Sequence, residues 1–230
     1  MKDFFMSLLE LVYPRICSGC GNPLLEFEET LCLQCISKLP KTNFHLSEEN
    51  AVLQLFEGRF PVTRATAFLF FRKHSLVQQL IYQLKYKGAK ETGEKLGKLF
   101  GENLKGSRFI NDIDILMPVP LHPAKQQVRG YNQSEVIGKG MESSLNIPLV
   151  TENLVRKVFT NSQTRKSMFE RWKNVSGVFA VKHPGTLSGK HILLIDDVIT
   201  TGSTLEGCML ALKEVPDVRI SVAVLAKPDS

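Results

Sequence analysis

The chain has 230 residues, of which 29 are lysine or arginine and 23 are aspartate or glutamate, so its formal net charge at pH 7 is +6. Hydrophobic residues make up 43% of the sequence and charged residues 23%, a balance that is typical of globular proteins and excludes a fibrous or disordered chain. The length suits one medium domain with a small appendage, or two modest domains. No apolar run approaches the roughly 20 residues that a membrane-spanning helix needs.

The excess positive charge lies in the middle of the chain. Residues 1–60 carry a net charge of −3 and residues 176–230 a net charge of −1, whereas residues 61–120 and 121–175 carry +5 each. Concentrated cations favour binding to anions, although a solvated basic surface would give the same count.

The N-terminal segment predicts a short amphipathic helix at residues 3–13, because apolar residues recur there at helical spacing until Pro14. We expect this helix to dock on the protein, since Lys2 alone gives little attraction to an anionic membrane surface. The segment lacks the basic start, apolar core and cleavage site of a secretory signal. We therefore expect a cytoplasmic protein with reduced cysteines.

Four of the five cysteines form two pairs with two residues inside each pair: Cys17, Cys20, Cys32 and Cys35. This spacing can bring four thiolates to one tetrahedral ion, and zinc suits four soft ligands that leave no open position. We predict a structural zinc site in a stretch without helices. A redox-active cysteine pair is the alternative.

Beyond residue 64, predicted strands alternate with predicted helices. The strands are expected at residues 64–72, 113–120, 191–195 and 219–225, with further extended segments at 147–150 and 154–159. The helices are expected at residues 74–86, 91–104, 133–144 and around 205–212. This alternation predicts an α/β fold with a mostly parallel sheet, whose ligands lie at the carboxyl ends of the strands. We assign residues 58–230 to this domain and residues 1–57 to an N-terminal module, in which residues 41–57 are a helix or a linker.

The most specific chemistry lies in LLIDDVITTGSTL, residues 193–205. A buried strand delivers Asp196 and Asp197 to its carboxyl end, and the loop that follows turns into a helix whose first N–H groups attract an anion. Gly202 allows close approach of a ligand, and further hydroxyl donors come from Thr200, Thr201, Ser203 and Thr204. A phosphate on the turn and a diol on the carboxylates indicate a sugar monophosphate. The alternative is a capping box of Ser203 and Glu206, which leaves the paired aspartates unexplained.

This segment closely resembles the signature by which type I phosphoribosyltransferases bind 5-phosphoribosyl-1-pyrophosphate (PRPP). The resemblance implies the type I phosphoribosyltransferase fold, ribose hydroxyls on Asp196 and Asp197, and Mg²⁺ bridging the pyrophosphate. The ligands that it implies for the 5-phosphate are Thr200, Thr201, Gly202, Ser203 and Thr204.

Two further stretches bear on the same site. PVPLHPAKQQVRGYNQSE, residues 118–135, offers Lys125 and Arg129 to a pyrophosphate near the same edge of the sheet. A pattern R-x3-T-x2-Q-x7-R-x2-NV-x3-F follows, and the basic residues 160–176 within it, Arg171 included, suit a mobile lid over PRPP. A solvated loop is the alternative for this stretch.

These stretches, IYQLKYKG at residues 81–88 and the four cysteines together resemble the ComF/GntX family of zinc-bearing phosphoribosyltransferase-like proteins. The resemblance covers nearly the whole chain. It implies a reaction of the glycosyltransferase class, in which a nucleophile attacks C1 of the ribose as pyrophosphate departs. Arg129 and Arg171 are the catalytic cations expected on this basis, whereas no residue identifies the acceptor.

Family members called ComFC act in natural transformation on incoming single-stranded DNA in the cytoplasm, together with a helicase. The resemblance therefore implies a competence protein that binds PRPP and single-stranded DNA. Aromatic residues among the central cations are compatible with this function, because they could stack bases while the cations contact phosphates. Two alternatives remain open: an active phosphoribosyltransferase of nucleotide or sugar metabolism, and a PRPP sensor without turnover.

Overall fold

The computed structural model describes residues 14–157 and 177–229. The predicted N-terminal helix at residues 3–13 and the predicted lid at residues 160–176, with Arg171, lie outside these described residues.

The described part of the chain contains six strands and six α-helices. The strands are β1 (Ala65–Phe71), β2 (Ile115–Pro118), β3 (Leu154–Arg156), β4 (Phe179–Val181), β5 (His191–Val198) and β6 (Arg219–Pro228). The helices are α1 (Leu33–Ser37), α2 (Leu76–Tyr86), α3 (Lys90–Leu104), α4 (Pro123–Arg129), α5 (Gln133–Leu145) and α6 (Ser203–Leu212). None of them is both long and apolar enough to cross a membrane.

Four strands form a parallel sheet in the order β1-β6-β5-β2, which confirms the predicted parallel α/β architecture. Its central strands are apolar without alternation because both faces are covered. Leu193 and Leu225 face a cluster that includes α2, α3 and α5, whereas Leu194 and Val224 face a cluster that includes α6.

The strand β5 is longer than predicted. It runs to Val198, so Asp196 and Asp197 belong to the strand, and the predicted strand end at residue 195 is wrong. The reason is that β6 also extends beyond its predicted end and pairs with this region, with Asp196 opposite Val224 and Val198 opposite Ala226.

Two short elements beyond the cysteine module, α4 and β4, were not predicted. In α4, Pro123 occupies the first turn, the His122 side chain accepts a hydrogen bond from the N–H of Ala124, and Gly130 ends the helix at φ 78°. These are ordinary helix start and stop signals, but the helix has only seven residues. The other element is β4, which pairs antiparallel with β3 outside the main sheet.

The cysteine stretch contains a helix, so the prediction of a helix-free module is wrong. Helix α1 begins directly after Cys32, whose sulfur accepts a hydrogen bond from the N–H of Cys35. The second cysteine pair therefore wraps around the first turn of a helix. In the linker, residues 41–57, the structure has two 3-10 turns, Phe44–Leu46 and Leu53–Leu55.

Candidate functional site

Two adjacent aspartates lie near the carboxyl end of β5, where α2 and α5 also meet. The Ser134 hydroxyl, in the first turn of α5, donates a hydrogen bond of 3.0 Å to Oδ1 of Asp196. The ammonium group of Lys85, in the last turn of α2, lies 3.0 Å from Oδ1 and 2.9 Å from Oδ2 of Asp197. Both members of this ion pair are largely buried, with side chains 21% and 14% exposed. The two carboxylates are thus held by different helices.

The two carboxyl groups differ in their electrostatic surroundings. Burial and the neighbouring Asp197 carboxylate raise the pKa of Asp196 to about 7, although the Asp197 N–H, Ser134 and Lys85 act in the opposite direction. Asp196 therefore keeps its proton to a higher pH than an ordinary aspartate does. It can accept or donate a hydrogen bond, so this pair of groups can hold the two hydroxyls of a diol.

The turn after β5 ends in a helix start that is not capped by a side chain. Gly202 is the N-cap of α6 at φ 81°, and no side chain bonds to the first N–H groups of the helix. The predicted capping-box alternative is wrong, because Glu206 instead forms an ion pair of 2.5 Å with Arg59. Uncapped N–H groups at a helix N-terminus are ready donors to an anion.

The same turn encloses a small cavity and presents exposed hydroxyls. The cavity has a volume of about 40 Å³ and is lined by Asp196 and residues 198–205. The exposed hydroxyl residues around it are Thr200, Thr201, Ser203 and Thr204. The structure therefore brings all the residues predicted for the ribose and the 5-phosphate to one edge of the sheet.

The side chain of Phe56, in the linker, packs against this turn. A Cβ at Gly202 would lie 3.0 Å from Cε1 of Phe56, and the positive φ would also strain any other L-residue. Phe56 is almost fully buried and belongs to the cluster that includes α6. The linker, residues 41–57, is therefore part of the site's framework.

The predicted pyrophosphate cations lie on α4. Arg129 donates a hydrogen bond of 2.6 Å to Oε1 of Gln133, and its guanidinium carbon lies 5.5 Å from the ring centroid of Tyr86. Tyr86 directly follows Lys85, so Arg129 lies beside the helical turn that holds Asp197. Lys125 is exposed, one turn earlier on α4, and has no ion-pair partner among residues 14–157 and 177–229.

The four predicted zinc ligands come together. The sulfur atoms of Cys17, Cys20, Cys32 and Cys35 all lie within 4.8 Å of one another. The Cys20 and Cys32 sulfurs are 3.7 Å apart, and four sulfurs at a normal zinc–sulfur distance in a tetrahedron would be separated by about 3.8 Å. Burial opposes ionisation of Cys17, but backbone N–H groups of Cys32, Cys20 and Gly19 outweigh it and lower the pKa of this thiol to about 6. These residues fit a structural zinc ion, for which they would supply four thiolate ligands.

The cysteine module is docked on the helices of the main domain. The Ser18 carbonyl accepts hydrogen bonds from the side-chain amides of Gln83, at 2.8 Å, and Gln79, at 3.3 Å, both on α2. The Thr92 hydroxyl of α3 lies 3.1 Å from the Ser18 hydroxyl. Three of the cysteines belong to the hydrophobic cluster of the main sheet.

Comparison with known proteins places this architecture in a family. Residues 132–230 match the family model described as "Phosphoribosyl transferase domain". "DNA utilization protein YhgH" of Escherichia coli O157:H7 is 30% identical over 200 residues, 86% of this chain and 83% of the relative. "Competence protein F" of Haemophilus influenzae is 31% identical over 220 residues, 95% of this chain and 93% of the relative. The chain belongs to the ComF family.

Other similar proteins are more distant from this ComF-family chain. "Competence protein ComFC" of Bacillus subtilis is 25% identical over 204 residues, 83% of this chain and 81% of the relative. Among solved structures, glutamine PRPP amidotransferase from B. subtilis has a TM-score of 0.44 and 18% identity, covering 62% of this chain and 30% of that one. The matching domain and the parallel sheet confirm the predicted phosphoribosyltransferase fold class.

Two residues of the ComF-family site were missed in the sequence. Lys85 lies within the IYQLKYKG stretch, and Ser134 lies within residues 118–135, but neither was assigned a role. A lysine near the end of an amphipathic helix looks like a solvent-exposed cation, and a serine in a first turn looks like a helix-start residue. Only their contacts with Asp197 and Asp196 distinguish them.

We expect the purified ComF-family chain to contain one zinc ion per molecule, measured by mass spectrometry of the metal. Cys35→Ala removes one buried ligand and should reduce zinc to background and lower the unfolding midpoint, because binding of a structural metal stabilises the fold. The matched control is Cys208→Ala, which truncates the remaining cysteine and should keep full zinc content. A parent protein without zinc, or full zinc in Cys35→Ala, would contradict the assignment.

The raised pKa of Asp196 predicts a pH-dependent stability. This carboxyl group ionises near its ordinary pKa of 3.8 in the unfolded chain but at about 7 in the folded one, so its contribution to stability is lost as pH rises between these values. Asp196→Asn replaces the carboxyl group with a neutral amide, so the variant does not lose this stability as pH rises. The stability of the variant relative to the parent should therefore increase as pH rises from about 4 to about 7, measured by urea unfolding. If the free energy of unfolding changes equally with pH in both proteins, the pKa of Asp196 is not raised.

Proposed function

We propose that this ComF-family chain binds PRPP at the carboxyl edge of β5 and acts in DNA uptake during natural transformation, where it also binds single-stranded DNA. The observation that carries the proposal is the placement of two aspartates beside an uncapped, hydroxyl-rich helix start. A ligand that satisfies both features has a diol and a phosphate a few ångströms apart, as PRPP does.

The site suggests how each part of PRPP would be held. Asp196 and Asp197 bind the two ribose hydroxyls, and the turn at residues 200–204 binds the 5-phosphate. With two anchors, the ribose is oriented so that C1 faces the incoming nucleophile, which lowers the entropic part of the barrier. Mg²⁺, when bound with PRPP, supplies positive charge at the pyrophosphate. Arg129 and Lys125 are the cations proposed to bind the departing pyrophosphate.

The proposed role in DNA uptake is supported by the relatives' names. They are a DNA utilization protein and two competence proteins, and the alignments with them cover more than four fifths of this chain. Cytoplasmic location and a helicase partner belong to the same proposal, because an incoming strand would be handled inside the cell.

A second candidate function is turnover of PRPP by phosphoribosyl transfer. It is favoured by the aspartate pair and the uncapped turn, both of which are intact. Release of pyrophosphate in the presence of a nucleobase would identify an active transferase. Tight PRPP binding without pyrophosphate release would identify a sensor.

Isothermal titration of PRPP with Mg²⁺ tests the ligand. We expect the parent to bind and the double variant Asp196→Asn/Asp197→Asn to lose at least about tenfold in affinity, since each carboxylate loses a charge-assisted hydrogen bond. The control is Asp217→Asn, at an exposed turn residue with φ 54°, where asparagine fits well. Unchanged affinity in the double variant would show that the aspartates do not bind the ribose.

Deletion of the gene in its natural host tests the biological role. We expect the deletion strain to lose transformation by added DNA and to grow normally on nucleobases, because the proposed role lies in strand handling rather than salvage. A plasmid with the parent gene should restore transformation, whereas one with Asp196→Asn/Asp197→Asn should not. Normal transformation of the deletion strain would rule out the competence role.

A further inference from the structure

Helix α2 carries two exposed tyrosines that the core does not use. Tyr82 and Tyr86 are one turn apart, 52% and 62% exposed, with ring centroids 5.1 Å apart. The buried face of the helix is formed by other residues, Val77, Leu80, Ile81 and Leu84. Arg129 lies 5.5 Å from the Tyr86 ring and links the pair to α4. We call Tyr82, Tyr86 and Arg129 the tyrosine platform.

The surroundings of the tyrosine platform are strongly basic. Residues 72–90 and 118–134, which contain α2 and α4, include seven lysines and arginines and no aspartate or glutamate. Lys85 is neutralised by Asp197, whereas Lys87 and Lys90 are exposed and have no ion-pair partner in the described part of the chain. The ammonium group of Lys90 lies 5.2 Å from the ring centroid of Tyr131 and keeps its charge there. The platform is therefore flanked by positive charge that no carboxylate of the described residues neutralises.

We infer that the tyrosine platform stacks unpaired bases of a single-stranded nucleic acid, whose phosphates lie on Lys87 and Lys90. This inference rests on the proposed function and gives its strand-binding part a place in the molecule. Aromatic rings bind bases through their faces with little sequence preference, and cations beside them bind the backbone. The exposed rings and the free charges match both halves of this ligand.

Other ligands fit the surface less well. A pyrophosphate needs cations but not two exposed aromatic rings. A duplex offers phosphates, but its base faces are stacked inside the helix and cannot reach a tyrosine. An acidic peptide would match the charge, yet it has no planar groups in regular succession. A single strand uses every feature of the platform.

The tyrosine platform adjoins the proposed PRPP site. Tyr86 follows Lys85, which holds Asp197, and Arg129 bonds to Gln133, which precedes Ser134, the partner of Asp196. A strand on the platform would therefore lie beside the aspartate pair. Strand binding and PRPP binding would share α2 and the start of α5.

Fluorescence anisotropy with a labelled oligothymidylate of about 20 nucleotides tests this inference. We expect the parent to bind, and Tyr82→Ala/Tyr86→Ala to weaken binding by about tenfold for each ring removed. Tyr82→Phe/Tyr86→Phe should retain the parent affinity, because a phenyl ring still stacks. The matched control is Phe27→Ala, which removes an aromatic ring, 69% exposed, from the cysteine module and should leave affinity unchanged. Unfolding midpoints of all variants confirm that these exposed positions do not affect folding.

Two further probes separate stacking from charge. An abasic oligonucleotide of the same length should bind the parent as weakly as the thymidylate binds the double alanine variant. Lys87→Gln/Lys90→Gln should make the affinity less dependent on salt, while Lys105→Gln, at the exposed residue that follows α3, should not.

The outcomes distinguish the inference from the proposed function. If the parent binds the oligothymidylate and the double alanine variant binds it equally, the platform is wrong while strand binding stands. If the parent does not bind it at all, the strand-binding part of the proposed function fails and the platform with it, independently of the PRPP titration. The parent could also be a dimer that Tyr82→Ala/Tyr86→Ala converts to a monomer without changing the oligonucleotide affinity. In that case the tyrosines contact a second copy of the chain, and the inference is wrong.

Discussion

The ion pair between Lys85 and Asp197 joins helix α2 to the carboxyl edge of the central strand, and much of the site's geometry depends on it. The two residues are 112 positions apart in the chain, and both are largely buried. Neighbours of Lys85 on the same helix contact other parts of the molecule: Gln83 bonds to the cysteine module, the Leu84 carbonyl accepts from the Tyr131 hydroxyl, and Tyr86 contacts Arg129. One helical turn therefore connects the cysteine module, the aspartate pair and helix α4. A pair of buried charges of this kind adds little net stability, but loss of one partner leaves an uncompensated charge, so the pair maintains a specific geometry.

The aspartate pair is electrostatically unfavourable without a ligand. One carboxylate is compensated by Lys85, whereas burial and the adjacent negative charge raise the pKa of Asp196. Groups with strongly perturbed pKa values in a cleft are typical of functional sites. At such sites the fold holds like charges close together, which a structural core would exclude. A ligand that supplies hydroxyl donors, together with a divalent cation, would relieve this repulsion.

The cysteine module packs against the main domain. Cys17, Cys32 and Cys35 share a hydrophobic cluster with the sheet and with α2, and Ser18 bonds to both α2 and α3. The four cysteines therefore lie against the helix that carries Lys85. The predicted division of the chain at residue 57 describes the sequence pattern, but the linker side chain Phe56 packs under Gly202, inside the second domain.

The amino-acid sequence by itself determined the local structure and the chemistry of the loops. Continuous apolar runs predicted the parallel strands, and cysteine spacing predicted the metal cluster. Paired aspartates before TTGST predicted a sugar-phosphate site. These predictions were possible because burial and ligand type are visible in residues that are close together in the sequence. The short helices α1 and α4 were not predicted, because apolar residues in a helix of seven or fewer residues show no clear helical spacing. Only the tertiary structure decided that Lys85, Ser134 and Phe56 support the site. Their positions follow from the strand order β1-β6-β5-β2 and the packing of distant helices, which no local pattern records.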